Sequence, residues 1–306
     1  MNQGWVYCDR ISSKDAGLTL LEFYSQRYRH SSPHQWRTRI LAEQVLLDGH
    51  PASPNTPLQT GQQLAYHRPP WQEPRVPLEF QVLYQDPDLL AVNKPSGLPV
   101  LPGAGFLEHT LLHQLRRRFP QAQPVHRLGR GTSGIMLVAL SDPAKAHLSH
   151  QWRASTAGAR PLQKTYRALV ADWSVGDAFE LTFPIGKVPH PQLGYIYAAT
   201  AGGKPAYSCG RVLQRRVSST VLEVQIHTGR PHQIRIHLAA AGHPLLGDPL
   251  YGVGGGVPLP PPGQPCPVPG DVGYCLHAYR LRFCHPHSGA MMTVEAPLPP
   301  WAETKK

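Results

Sequence analysis

A chain of 306 residues carrying 30 Lys and Arg against 19 Asp and Glu is long enough for one or two cored domains, and its net charge of +11 favours polyanionic partners, RNA first. No stretch approaches the ~18 apolar residues of a membrane span, and no charged flank precedes a short apolar run at the N-terminus, so a cytoplasmic protein with no membrane association is expected. Five cysteines without a C-x-x-C pair exclude a disulfide-stapled design and suit a reducing compartment. The 34 prolines, about twice the usual ~5% share, favour many loops over long helices.

In chain order, Leu18, Leu20, Leu21 and Tyr24 recur at helical spacing, and Arg37 to Val45 gives a second helical pattern after Pro33. A short strand and turn follow at Val45 to Gly49. These elements predict a small N-terminal module over residues 1–72. The Pro-rich stretch 67–77 ends it, with a linker at 73–77 and a second domain over 78–303, because each proline removes an amide donor. Leu78, Phe80, Val82 and Tyr84 alternate as a half-buried strand, with Leu89 to Lys94 as its partner.

Glu108 to Phe119 places Leu111, Leu112, Leu115 and Phe119 on one helical face, and its terminal Arg116 to Arg118 complement the helix dipole. The apolar run Gly134 to Leu140 predicts a central strand, after which Asp142 and Pro143 read as N-cap and first residue of a helix. Lys164 to Val170 and Val221 to His227 are strand-like, and Pro231 to Ala241 is a helix closed by Gly242. Residues 252–270 are a loop. Pro258 to Pro262 reads as surface insertion rather than a recognition segment. Cys275, His277, Cys284, His285 and His287 lie close together, but alternate positions on a strand are a poor zinc geometry, so no metal is expected.

Four separated blocks then occur in an order that carries more information than any one of them. They are Asn93 to Val100, His126-Arg127-Leu128-Gly129-Arg130-Gly131-Thr132-Ser133-Gly134, Lys164 to Val170, and Gly229 to His237 with Gly247 to Gly252. Leu276 to Leu281 and Ala296 to Pro299 close the pattern as strands. Residues 78–300 thereby resemble the RluA-type pseudouridine synthases, whose second block reads HRLDxxTSG. The N-terminal module loosely resembles the S4 RNA-binding module, with Arg27, Arg29, Arg37 and Arg39 as phosphate contacts. An amphipathic helix pair with solvated arginines accounts for that segment equally.

The resemblance implies an α+β fold: a mixed, largely antiparallel sheet with a central RNA-binding cleft, beside the small S4-like module. It implies isomerisation of uridine in rRNA or tRNA without any cofactor; on oligomeric state the sequence is silent, and a monomer is the default expectation. Tyr166 would stack on the extruded base and assist at C5, and Arg127 would fill the vacated gap. Arg235 would pair with the family's catalytic Asp, while His126, Arg130, Thr132 and Ile236 would contact substrate. At the position of that Asp this chain has Gly129, which offers neither charge nor nucleophile.

Two readings follow from Gly129. In one, another carboxylate substitutes and the chain is an enzyme. In the other it is a catalytically silent RNA-binding protein, an assembly or folding factor, in which Gly129→Asp would revive activity. Arg235 then needs water, phosphate or another carboxylate, because an unpaired buried charge is costly. Asp248, in a Gly-Asp-Pro turn, reads as a structural Asx residue.

Overall fold

The computed structural model describes residues 1–156, 162–190, 193–256 and 266–304. Pro258 to Pro262 lies outside them. The chain forms two compact units, Met1–Glu73 and Pro74–Lys306. No helix among the described residues is long and apolar enough to cross a membrane.

In the first unit, strand β1 (Trp5–Arg10) precedes helices α1 (Leu20–Arg27) and α2 (Pro33–Leu41), followed by β2 (Val45–Leu47), β3 (His50–Pro51) and β4 (Gln63–Arg68). Both helices start with capping boxes, Thr19 with Glu22 and Ser32 with Gln35, which satisfy otherwise orphaned amides. The second helix stops at Leu41, four residues short of the expected end, because Glu43 takes a positive φ of 55° and Val45 enters the sheet. The sheet order is β1-β4-β2-β3. Its core joins Leu20, Phe23, Tyr24, Trp36, Ile40, Val45 and Leu64. Arg39 is stacked on Trp36 at 4.5 Å and Arg27 is paired with Asp9 at 3.5 Å.

The second unit is built on one ten-stranded sheet. Its strands are β5 (Gln81–Gln85), β6 (Leu89–Lys94), β7 (Gln123–Pro124), β8 (Ser133–Ala139), β9 (Gln163–Val170), β10 (Ala178–Leu181), β13 (Ser208–Arg215), β14 (Thr220–Ile226), β15 (Leu276–Cys284) and β16 (Met291–Glu295). A separate hairpin joins β11 (Ile185–His190) to β12 (Gly194–Ala199). The main order is β10-β13-β14-β9-β15-β8-β6-β5, with β16 on β15 and β7 on β8. All pairings in it are antiparallel except β8 with β15, which join in parallel over only two residue pairs. The sheet is thus divided near its middle, where two halves meet.

Helices α3 (Leu111–Arg118), α4 (Asp142–Thr156) and α5 (Gln233–Ala240) cover it. Alternation along β8 sends Ile135, Leu137 and Ala139 to the core that includes Ala144 and Leu148 of α4, and Met136 and Val138 to the core that includes Leu111 and Leu115 of α3. In the other half, Ala168, Val170, Leu222 and Val224 pack on Ile234 and Leu238 of α5. The Pro-rich stretch contributes as well, since Val76, Leu78 and Phe80 pack against the core of α3. The regular strand starts only at Gln81.

Several local boundaries differ from expectation for identifiable reasons. Ser141, not Asp142, caps α4: its Oγ accepts from the Ala144 amide at 3.3 Å. Thr110 caps α3 through the His113 amide, so that helix begins at Leu111 rather than Glu108. The last strand ends at Glu295, and Ala296 to Pro299 lies beyond it, where two prolines lack the donor a ladder needs. The strands β1 and β10 to β13 were not expected: β10 has only four residues, β11, β12 and β13 carry Gly or Pro, and β1 ends on Asp9 and Arg10.

The last glycine of the His126 block is demanded by this architecture. Gly134 has φ +109°, and a Cβ there would stand 2.2 Å from the Ala278 carbonyl oxygen, at the junction of the two halves. Gly134→Ala combines positive-φ strain with overpacking, and should cost about 3 kcal/mol or more in a denaturant titration. A loss under ~1 kcal/mol would mean that the junction yields easily.

Candidate active site

The face shared by α4 and α5 holds the site. Tyr166 stands on β9 opposite Val224 of β14 and Ala278 of β15, and packs against the α5 core. On its other side it shares a small recess with His126, Trp152 and Lys164. Burial pushes the Tyr166 phenol up to about 12, so it stays protonated at neutral pH. Burial also lowers the Lys164 ammonium to about 8, which makes it a group able to exchange a proton near neutrality. Lys164 and Tyr166 stand two residues apart on β9, so the strand's alternation sets both on one face.

The His126 block wraps the edge of this recess. His126 stacks on Trp152 at 3.8 Å, and its Nε2 accepts from the Leu137 amide at 3.0 Å. Burial, aided by Lys164, pushes it down to about 3. His126 is therefore a neutral structural ring. Arg127 is exposed, and it acts with Arg235 in lowering the His232 imidazole to about 4, after burial as the main cause. Arg127 and α5 thus lie within electrostatic reach of each other.

The Asn93 block explains how the loop is held. Lys94 is fully buried and donates to the carbonyls of Pro95, Leu98 and Arg130 at 2.8, 2.8 and 3.1 Å. Ser96 Oγ donates to the Gly131 carbonyl at 2.7 Å. The block fixes the motif's backbone, and its cation has no carboxylate partner among these bonds; burial lowers it to about 7.

Arg235 does not face water. Its Nε and Nη2 donate to Asp248 Oδ2 and Oδ1, both at 2.7 Å, and the side chains are 3% and 1% exposed. Asp248 Oδ1 also accepts from the amides of Leu250 and Tyr251. Asp248 is thus the expected Asx residue and, in addition, the carboxylate that Arg235 required. The free edge of the guanidinium reaches the Pro269 carbonyl at 3.3 Å, and its plane lies 4.2 Å from the Tyr274 ring centre.

The remaining expected contacts divide by exposure. Ile236 is 0% exposed and packs with Ile185, Leu250 and Tyr251, so it is a core residue and not a substrate contact. Thr132 is buried, with its Oγ1 3.2 Å from Tyr274 Oη. Arg130 donates to the Gly270 carbonyl at 2.7 Å, pinning the loop before β15. Gly129 is exposed. His232, at the head of α5 with φ 54° and its Nδ1 2.8 Å from Tyr251 Oη, is a strained position with no sequence signal beyond its block. Of the Cys275 to His287 residues, His277 Nδ1 bonds Ser133 Oγ at 2.8 Å and His285 Nε2 bonds Asp86 at 2.6 Å.

The buried histidines set an acid limit. Burial lowers His126, His232 and His277 to about 3, 4 and 4, while the unfolded chain takes up their protons below ~6.5. Stability is complete above pH 6.5 and should fall as pH drops from there toward 4, by up to ~1.4 kcal/mol per pH unit for each histidine. Urea unfolding at pH 7.5 and 5 checks this; equal midpoints would show that these rings are already protonated in the fold.

Comparison with known proteins agrees with this geometry. The RNA pseudouridylate synthase family model matches residues 88–240. An uncharacterized RNA pseudouridine synthase of Synechocystis sp. is 50% identical, over 92% of this chain and 94% of its own. RNA pseudouridine synthase 5 of Oryza sativa subsp. japonica is 43% identical, over 100% and 89%. Ribosomal large subunit pseudouridine synthase D of Escherichia coli O6:H1 is 32% identical, over 94% and 90%. Among solved structures, human RNA pseudouridylate synthase domain containing 1 aligns with a TM-score of 0.57 at 26% identity, covering 76% of this chain and 89% of that one. With the α+β sheet, the divided middle and the ordered blocks, these matches establish that the chain belongs to the RNA pseudouridylate synthase family, in its RluA-type branch.

Proposed function

We propose that this protein isomerises uridine to pseudouridine in structured rRNA or tRNA, as a cytoplasmic monomer that needs no cofactor. The observation that carries the reading is Tyr166, placed at the middle of the sheet on the face between α4 and α5, with its phenol desolvated. The target uridine leaves its stack, at a cost of a few kcal/mol, and stacking on Tyr166 offsets part of that cost. Arg127, exposed beside the recess, fills the gap in the RNA. The Arg235–Asp248 pair fixes the floor, and the Tyr166 hydroxyl assists proton movement at C5, with the Lys164 ammonium, which burial lowers to about 8, beside it. The first unit serves as an S4-like RNA-binding module, in which exposed Arg37 is better placed for a phosphate than Arg39, which stacks on Trp36 and bonds Ser31.

The test is pseudouridine mapping in a deletion strain and its complemented counterpart, together with the purified protein on total RNA from the deletion strain. Sites lost on deletion and regained with the pure protein are expected. Unchanged maps and no modification in vitro would overturn the reading. They would favour the silent RNA-binding protein instead, for which the bare Gly129 is the motive and salt-sensitive binding without turnover the signature.

A further inference from the structure

The glycines of the His126 block are not all there for backbone freedom. Gly134 has a positive φ, but Gly129 and Gly131 do not. What excludes a side chain at these two positions is one residue, Tyr274. A Cβ on Gly129 would stand 2.8 Å from Tyr274 Oη, and one on Gly131 would stand 2.8 and 2.9 Å from its Cε1 and Cζ. Carbon does not approach other heavy atoms so closely without a shift.

Tyr274 has little room to shift. It is 5% exposed, its ring lies 4.2 Å from the Arg235 guanidinium, and its hydroxyl is 3.2 Å from Thr132 Oγ1. Arg130 holds the segment leading to it, through the Gly270 carbonyl and through Asp271 at 3.8 Å. On its other side, Gly247 meets the Gly273 carbonyl so closely that a Cβ there would stand 2.4 Å away. The phenol is therefore fixed from several directions, beside the point where the family's carboxylate would begin.

We propose that Tyr274 occupies the place of the missing carboxylate and that its hydroxyl hydrogen-bonds the ribose of the extruded uridine. Gly129, exposed and without a side chain, leaves the path to that hydroxyl open. Thr132 orients the hydroxyl and Arg235 holds the ring flat. The phenol forms no covalent bond in this role; it fixes the sugar while the glycosidic bond breaks. The inference rests on the synthase reading above, but its steric half stands independently. It also implies that Gly129→Asp alone restores nothing, because the phenol already fills that space.

The steric half has an internal control. Tyr274→Phe removes Oη but keeps the ring. Gly129→Ala should lower the melting temperature in the natural background and lose most of that effect alongside Tyr274→Phe, whereas Gly131→Ala, which meets ring carbons, should stay destabilising in both. Equal effects of Gly129→Ala with and without the hydroxyl would overturn the pairing. The chemical half is read on total RNA from the deletion strain. Tyr274→Phe should lower the single-turnover rate at saturating enzyme at least tenfold with RNA affinity unchanged, and Thr132→Val should lower it less. An unaltered rate in Tyr274→Phe would remove the hydroxyl's role and leave the synthase reading standing. A natural protein with no turnover would remove both, while the melting series would still decide the pairing.

Discussion

Asp248→Ala should destabilise the protein by about 3–5 kcal/mol, among the largest losses available from a single polar residue, because it leaves the Arg235 cation buried without a counter-charge. The pair is bidentate, nearly solvent-free, and doubles as the acceptor for two amides of the turn that follows. Asp248→Asn should cost less, since its amide oxygen still serves that turn. Arg235→Met in the Asp248→Ala background should recover part of the loss, because removing both charges ends the desolvation penalty. Denaturant titration of the natural protein, Asp248→Ala, Arg235→Met and the double variant measures the coupling. Additive losses would mean that Arg235 finds another partner when Asp248 is absent, with the Pro269 carbonyl already 3.3 Å away.

Tyr166→Phe should lower the isomerisation rate by about 10²–10⁴ with little change in RNA affinity, if the hydroxyl assists proton movement as proposed. Tyr166→Ala should lose the rate and also weaken binding by about 1–3 kcal/mol, the worth of one stacked base. The two variants separate chemistry from stacking. Single-turnover kinetics with filter binding on the target RNA reads both. A Tyr166→Phe protein with the natural rate would move the proton transfer elsewhere, first to Lys164, whose ammonium burial lowers to about 8. Lys164→Met would then abolish turnover.

Strands with strong apolar alternation and central position, β8, β9 and β14, were legible in the sequence, because burial on both sides or on one leaves a period that local composition does not hide. The hairpin of β11 and β12 was not, since Lys187, Pro189 and Gly194 interrupt it and its pairing partners supply the stability. Helix starts were misplaced by one to four residues at Ser and Thr caps, by one at Ser141, three at Thr110 and four at Ser32.

The same division runs through the site. The ordered blocks of the sequence, through the family they resemble, singled out the His126 block, Tyr166, Arg235 and the bare Gly129. Only tertiary structure decided their partners. It brought Asp248, 13 residues from Arg235, into a bidentate bond, buried Ile236 in a core, and set Tyr274 against Gly129, 145 residues earlier in the chain. A local pattern records what a residue needs, such as a charge to neutralise or a volume to leave empty. Which distant residue answers that need is set by how strands β8, β9 and β15 meet at the middle of the sheet, and no spacing within one segment encodes that distance.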